Sequence, residues 1–538
     1  MIVTNLTEEM AVSAETRLKR FLHYGSELPC YEAGAWKINI ASPNYEAVEL
    51  TSIDSLISEG KGSDVVKHII EAYNGGYSAE PEAILFALVL CMKQSQSLEV
   101  RRAAYAAIET VYKTPKAFFA FVKYITDLSK PTTGWGRGLR RAVNNWYLHQ
   151  EPQKMAENVT RFVGMHSWTH KDILKLAHTC SKNPAQNAVI SYVINGIETA
   201  QKLFNDKPEA QAIIEYLKNV ENLKHSTNST TASLLISAHS FSFECVPSGL
   251  YRSKEIWHVL IPKMSVVTIL KVLRRLSRYR LLRRKSVIVP LIVDRLKEEE
   301  AIIEEKVQPA EILLYLKKYE SSSRLRFIDR SRPVKPPPPV NPAVVDAANA
   351  LLNTSVSLLK PTGLKYIIAV NNGFDMILTK CWQCRELTCC MAALLITYCI
   401  YKTETDATVL IYSASDMEEV PLDKSLSFNE TISTMRARCS AAKVNMAQPV
   451  MWAQKNKKAV DVFVVITNNN NETSSASLPT YLNQYRTEMN LPQTKYIAVG
   501  LDMCGLNCID PADPGMLEIK GFDEKVPTII EAFSRGAF

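Results

Sequence analysis

Glycine is scarce. The chain has 19 glycines in 538 residues, about half the usual share of roughly 7%. That supply argues against several glycine-rich phosphate loops and leaves helices with few breakers. Long apolar runs are missing as well. The longest, Cys389 to Tyr401, is interrupted only by Thr397. It falls short of the ~20 residues that cross a bilayer, so no membrane partner is expected. The segment MIVTNLTEEM at 1–10 has neither a basic n-region nor an apolar h-region, and no secretory leader is expected. The sequence also has no Gly-x-Ser-x-Gly elbow, no Walker A loop and no His-Glu-x-x-His. The expectation is a protein that is not an enzyme. It should be cytoplasmic, with the nucleus as a second compartment, and its 12 cysteines should be reduced thiols and core residues.

What is present describes a folded chain of more than one unit. Single cores stop growing at roughly 250–300 residues, and the 46% hydrophobic and 22% charged composition is that of globular proteins. The net charge of +8 permits an anionic partner without requiring one. Its placement is more informative. Residues 271–285, KVLRRLSRYRLLRRK, hold eight basic residues and no acid.

Periodicity changes along the chain. Apolar residues recur at helical spacing through the N-terminal part, with helices expected at 65–73, 82–93, 98–113, 116–128, 137–148, 171–179, 185–204, 209–223, 254–261 and 264–284. Thr114-Pro115 reads as a cap and first helical position. A proline-rich stretch, PVKPPPPVNPA at 333–343, follows. Beyond it, β-branched runs at 365–371, 408–413, 460–467 and 495–501 alternate with helical segments at 384–401, 426–438, 447–456, 478–489 and 524–534. That alternation predicts a doubly wound, mostly parallel α/β domain. The expected division is a helical domain over 1–332, a proline-rich linker with a connecting helix over 333–360, and an α/β domain over 361–538.

Three clusters are candidate phosphate contacts. Arg137, Arg140 and Arg141 share one helix face within GWGRGLRRAVNNWY, close to aromatic residues. Lys171, Lys175 and His178 share another, with Arg161 and His170 just before. Arg274, Arg275 and Arg278 lie in the dense basic run, which a localisation signal would also explain. A cation site is a weaker prospect. The first α/β strand ends at Asn371, Gly373 and Asp375, where a von Willebrand type A domain has Asp-x-Ser-x-Ser, and the third ends near Asn468, where an Asp would be expected. Cys381, Cys384, Cys504 and Cys508 have poor spacing for zinc. No cofactor is expected, and Mg²⁺ only if the altered loop still binds it.

The segments Arg17–Glu27, Glu82–Leu88, Trp135–Arg141, Trp168–Leu174, Met451–Gln454, Asp461–Val465, Asp510–Leu517 and Gly521–Asp523 resemble, in order and over nearly the whole chain, the Ro autoantigen ribonucleoproteins of the TROVE family. The resemblance implies a ring of α-helical HEAT-like repeats closed by a von Willebrand A-type α/β domain. It implies a monomeric partner of small noncoding RNA: Y RNA on the outer surface and misfolded small RNA at a central hole, in RNA quality control. RNA-processing proteins are further partners. Arg161, Lys171, His178, Arg137, Arg140 and Arg141 fall at matching positions. Met165 stands where the family tends to carry a basic residue, and Val444-Asn445 replaces a family Thr-Asp pair. The alternative is a protein-interaction scaffold of the same fold with weakened or lost RNA binding.

Overall fold

The computed structural model describes residues 12–34, 45, 48, 50–76, 78–94, 96–321, 339–413, 416–439, 444–468, 478–502 and 505–538. The chain forms two compact units: Lys37–Gly76 with Glu80–Met264, and Met1–Trp36, Tyr77–Ala79 and Ser265–Phe538. Part of the proline-rich stretch, 333–338, lies outside the described residues.

The first unit is built of helices. Their starts follow local chemistry. Thr114 Oγ1 accepts from Ala117 N at 3.2 Å, and Pro115 opens the Pro115–Asp127 helix. Two expected helices are each interrupted. The 98–113 stretch is divided into Leu98–Ala106 and Ile108–Val111. The 185–204 stretch breaks at Gly196, whose φ of 89° and ψ of 171° suit glycine alone. The interior is aromatic: Phe86, Phe118, Phe119, Phe121, Tyr112 and Tyr124 are buried, and Phe86 meets Tyr124 edge-on at 5.6 Å.

The second unit centres on a seven-stranded sheet in the order Cys30–Glu32, Met516–Lys520, Lys495–Gly500, Val462–Thr467, Tyr366–Val370, Ala407–Tyr412, Met417–Glu419. All neighbours are parallel except the last pair. The four expected strands are its centre, and their continuous burial is why they read as unbroken apolar runs. Three strands were not expected: the two edges, Cys30–Glu32 from the chain's N-terminal segment and Met417–Glu419, and Met516–Lys520, which lies second from one edge. The expected helix at 384–401 begins later, at Cys389, because Cys384–Thr388 is a strand paired with Lys380–Cys381. Helices Val266–Arg278, Ile288–Leu296 and Pro309–Glu320 pack in this unit with Pro342–Ser357. Asn341 seals that cluster: its backbone N–H donates to Tyr319 Oη at 2.9 Å and its side-chain amide to Leu282 O at 3.2 Å. Among the described residues no helix is long and apolar enough to cross a membrane.

Candidate nucleic-acid interface

Within the helical unit, the Arg137–Leu148 helix turns Leu139, Ala142, Val143, Trp146 and Tyr147 inward. Its periodicity therefore leaves Arg137, Arg140 and Arg141 exposed. Trp146 lies flat on Phe118 at 3.9 Å and donates its indole N–H to Tyr112 O at 2.6 Å. The aromatics of this segment are thus core packing that fixes the helix, and the arginines are its outward face. Among the described residues none of the three has a carboxylate partner.

The next helix, His170–Ala177, starts at a capping box: Thr169 Oγ1 accepts from Asp172 N at 3.2 Å, and Asp172 Oδ2 accepts from Thr169 N at 3.1 Å. Lys171 and Lys175 project to solvent, and His178, at φ 52°, ends the helix exposed. The two helices are tied together. Asn144 donates to Ala177 O at 3.3 Å and accepts from Thr179 Oγ1 at 2.6 Å. Three arginines, two lysines and a histidine are therefore carried by two bonded, packed helices.

His170 is a correction. It is 1% exposed, bonded to Tyr147 Oη at 2.6 Å through Nδ1 and packed on Phe119 at 4.7 Å. Burial pushes its pKa down to about 3. It is a neutral core histidine and contacts no phosphate. The reason is registry: as first residue of the helix it points inward with Ile173, Leu174 and Ala177.

Arg161 ends the Pro152–Arg161 helix and is half-buried over the Phe162 ring at 5.4 Å. Its Nη2 reaches both Glu244 oxygens at 3.3 Å. Burial by itself would raise Glu244. Its own backbone N–H and Arg161 outweigh that and hold the carboxyl below the ordinary range. Arg161 is thus partly neutralised by a residue 83 positions on, a pairing with no local signal. Between Arg161 and Lys171 runs a short hairpin, Gly164–Met165 against Trp168–Thr169. Its turn residues His166 and Ser167 sit at φ 54° and 67°. This is the left-handed turn geometry that two-residue hairpins demand, here without the usual Asn-Gly. Met165 is in this hairpin and half-buried.

The dense basic run belongs to the sheet-bearing unit. The helix expected over 264–284 is Val266–Arg278. Arg280 follows at φ 60°, which no helix continues, and Arg283, Arg284 and Lys285 stand exposed before Ile288. Arg275 and Arg278 are exposed on the last turns; Arg274 is half-buried, and its buried Nε has no partner among the described residues. Lys271 lies 5.7 Å from the Tyr315 ring.

In the same unit, the carboxyl ends of Tyr366–Val370 and Val462–Thr467, neighbours in the sheet, bring Asn371 and Asn468 together. This is the usual ligand position of such sheets, and its residues do not fit a divalent cation. Asn371 Oδ1 already accepts from Gly373 N at 3.0 Å, and its amide donates to Asn468 Oδ1 at 3.1 Å. Asn468 Nδ2 in turn donates to Asp375 Oδ2 at 2.6 Å. The Asn468 amide occupies the one carboxylate and the Asn371 amide is bonded to Asn468, Gly373 brings no oxygen side chain, and Val444 is buried and apolar. Among the described residues no three His, Cys, Asp or Glu side chains could hold a metal ion. Cys381 and Cys384 are buried in the small hairpin, Cys508 is buried, and Cys504 lies outside the described residues.

A helical unit with an open basic helix face, joined in one chain to a parallel α/β domain with a hydrogen-bonded amide network at its ligand edge, defines a von Willebrand A-containing helical protein. The TROVE domain model matches residues 7–322 and the Ro60 vWA domain model residues 365–534. The chain belongs to the TROVE family. The RNA-binding protein RO60 of Deinococcus radiodurans is 26% identical over 528 residues, covering 98% of this chain and 93% of that protein. The RNA-binding protein RO60 of Caenorhabditis elegans is 23% identical over 588 residues, covering 98% and 88%. The crystal structure of the Deinococcus radiodurans RO (RSR) protein matches with a TM-score of 0.83 at 23% identity, covering 98% of this chain and all of that one.

Proposed function

We propose that the protein binds RNA, taking small structured noncoding RNA of the Y RNA kind and misfolded small RNAs, and serves as the protein part of a ribonucleoprotein in RNA quality control. Family membership and the names of its relatives support the RNA partner. One observation carries the location: Arg137, Arg140, Arg141, Lys171, Lys175 and His178 are exposed on two helices locked by Asn144 and Thr179. Fixed cations lose little entropy on meeting phosphates, and counterion release drives the association. The outer arginines of the Val266–Arg278 helix and its following loop add sequence-independent contacts. The work is binding rather than catalysis, needs no metal, and belongs in the cytoplasm, with the basic run 271–285 suited to nuclear entry. The protein acts as a monomer.

Filter binding of a small structured RNA over a salt series tests the reading. A steep fall of affinity with salt that is flattened by Arg140→Ala with Lys175→Ala supports it. A flat response, or variants indistinguishable from the native protein, refutes it.

The Arg161–Glu244 pair favours a second reading, a scaffold whose RNA surface has been partly neutralised. Nucleic acid co-purifying with the native protein, seen as a raised 260/280 absorbance ratio, would count against it.

A further inference from the structure

We propose that the helical unit contains a pocket for a phosphate monoester at the start of the Arg137–Leu148 helix, separate from that helix's outward arginine face. A cavity of about 660 Å³ lies there, walled by Lys93, Arg101, Tyr105, Ser129, Thr133 and Trp135 among others, and among the described residues by no carboxylate. Its size falls within the roughly 300–1,000 Å³ of small-molecule sites, room for a nucleotide rather than a bare ion.

Several features suit an anion. The helix begins at Gly136 with no side-chain cap and no acid in its first turn, so its positive end is left for a ligand. Lys93 is held in the wall by donating from Nζ to Ser129 Oγ at 3.1 Å. Trp135 is 7% exposed and its buried indole Nε1 has no partner among the described residues, a cost that an acceptor in the pocket would remove. The acid nearest in sequence to the helix start, Asp127, is occupied by Lys123 at 2.8 Å, Lys130 at 3.1 Å and Tyr45 at 2.8 Å. The loop is shaped for close approach: Gly134 sits at φ 76°, where a Cβ would meet Ser129 Oγ at 2.8 Å. Trp135 also lies 6.0 Å from Trp168, in the hairpin that leads to Lys171.

A phosphate monoester has two sources, the end of an RNA strand or a free mononucleotide. The RNA source rests on the function proposed above. The full-length protein is titrated with adenosine monophosphate, and separately with a short oligoribonucleotide carrying either a terminal phosphate or hydroxyl ends. The expected result is a phosphate-to-hydroxyl affinity ratio of about ten or more, reduced towards one by Lys93→Met with Arg101→Gln. Trp135→Phe removes the indole N–H together with part of the ring, and should lower the ratio when measured well below the variant's own thermal midpoint. Mononucleotide binding that these variants abolish, with an RNA ratio near one, supports the pocket and assigns it to free nucleotide. If RNA does not bind at all while the mononucleotide binds and is lost in the variants, the pocket stands and the RNA reading fails. A ratio near one together with no mononucleotide binding overturns the pocket even where RNA binds tightly.

Discussion

The phenolic O–H of Tyr31 donates to Asp523 Oδ2 across 2.6 Å, joining residues 492 positions apart. Gly34 N donates to the same oxygen at 3.1 Å. These bonds secure the short Cys30–Glu32 strand to the edge of the sheet beside Met516–Lys520. Losing a hydrogen bond to a charged group costs about 1.5–3 kcal/mol, so Tyr31→Phe should lower the stability of the sheet-bearing unit by that order. Burial, the largest influence, lifts the Asp523 pKa above the ordinary range, against Tyr31 and the Lys525 N–H, which lower it. A raised folded value means a contribution that is full below the unfolded pKa of about 3.9 and is lost as pH rises through the folded one. The melting-temperature advantage of the native protein over Asp523→Asn should therefore shrink as pH rises from acid. An advantage that grows with pH would contradict the assignment.

Glu244 holds Arg161, and on the proposed function it should compete with RNA for that guanidinium. Glu244→Gln keeps the shape, removes the charge and releases the guanidinium. An exposed ion pair is worth about 0.2–1 kcal/mol, so affinity for a structured RNA should rise by roughly 1.5- to 5-fold at low salt. Weaker binding by this variant would show that Glu244 positions Arg161 rather than masking it.

Lys171→Ala and Lys175→Ala should each reduce the slope of log affinity against log salt by about one, since each lysine neutralises about one phosphate. The loss should be similar for RNAs of different sequence. A sequence-dependent loss would mean that these side chains read bases.

His170→Ala should act on stability. It deletes a buried ring and strands the Tyr147 hydroxyl, at a cost of about 2–4 kcal/mol. Denaturant unfolding measures the cost. RNA affinity, measured well below the midpoint, should be unchanged, and a selective loss of affinity would restore His170 to the interface.

Chelator should leave the thermal midpoint where it was, and added Mg²⁺ should not raise it, because the amide network already satisfies the oxygens at the sheet edge. Asp375→Ala, which strands the Asn468 amide, should cost about 1–3 kcal/mol. A midpoint that climbs with Mg²⁺ would refute this.

Much of the fold was legible because burial writes itself into local pattern. The central strands of the sheet are apolar on both faces and stood out as β-branched runs. The Arg137–Leu148 helix was readable to the residue, since its inward stripe leaves the arginines no other face. Where a helix stops was less legible. Arg280 turns left-handed inside a run with no glycine or proline, so the 271–285 charges are divided between helix and loop with no local signal.

The sequence by itself determined the helical and α/β composition, the parallel sheet, the family and the outward arginines and lysines. These follow from periodicity and charge within single elements. Only the tertiary structure decided that His170 is core, that Glu244 holds Arg161, that Asn468 bridges Asn371 and Asp375, and that the N-terminal segment completes a sheet whose other strands lie more than 300 residues on. Each of these is a contact between distant positions. A single chain records the residue types at such contacts but not their pairing, because pairing is fixed by how the elements pack.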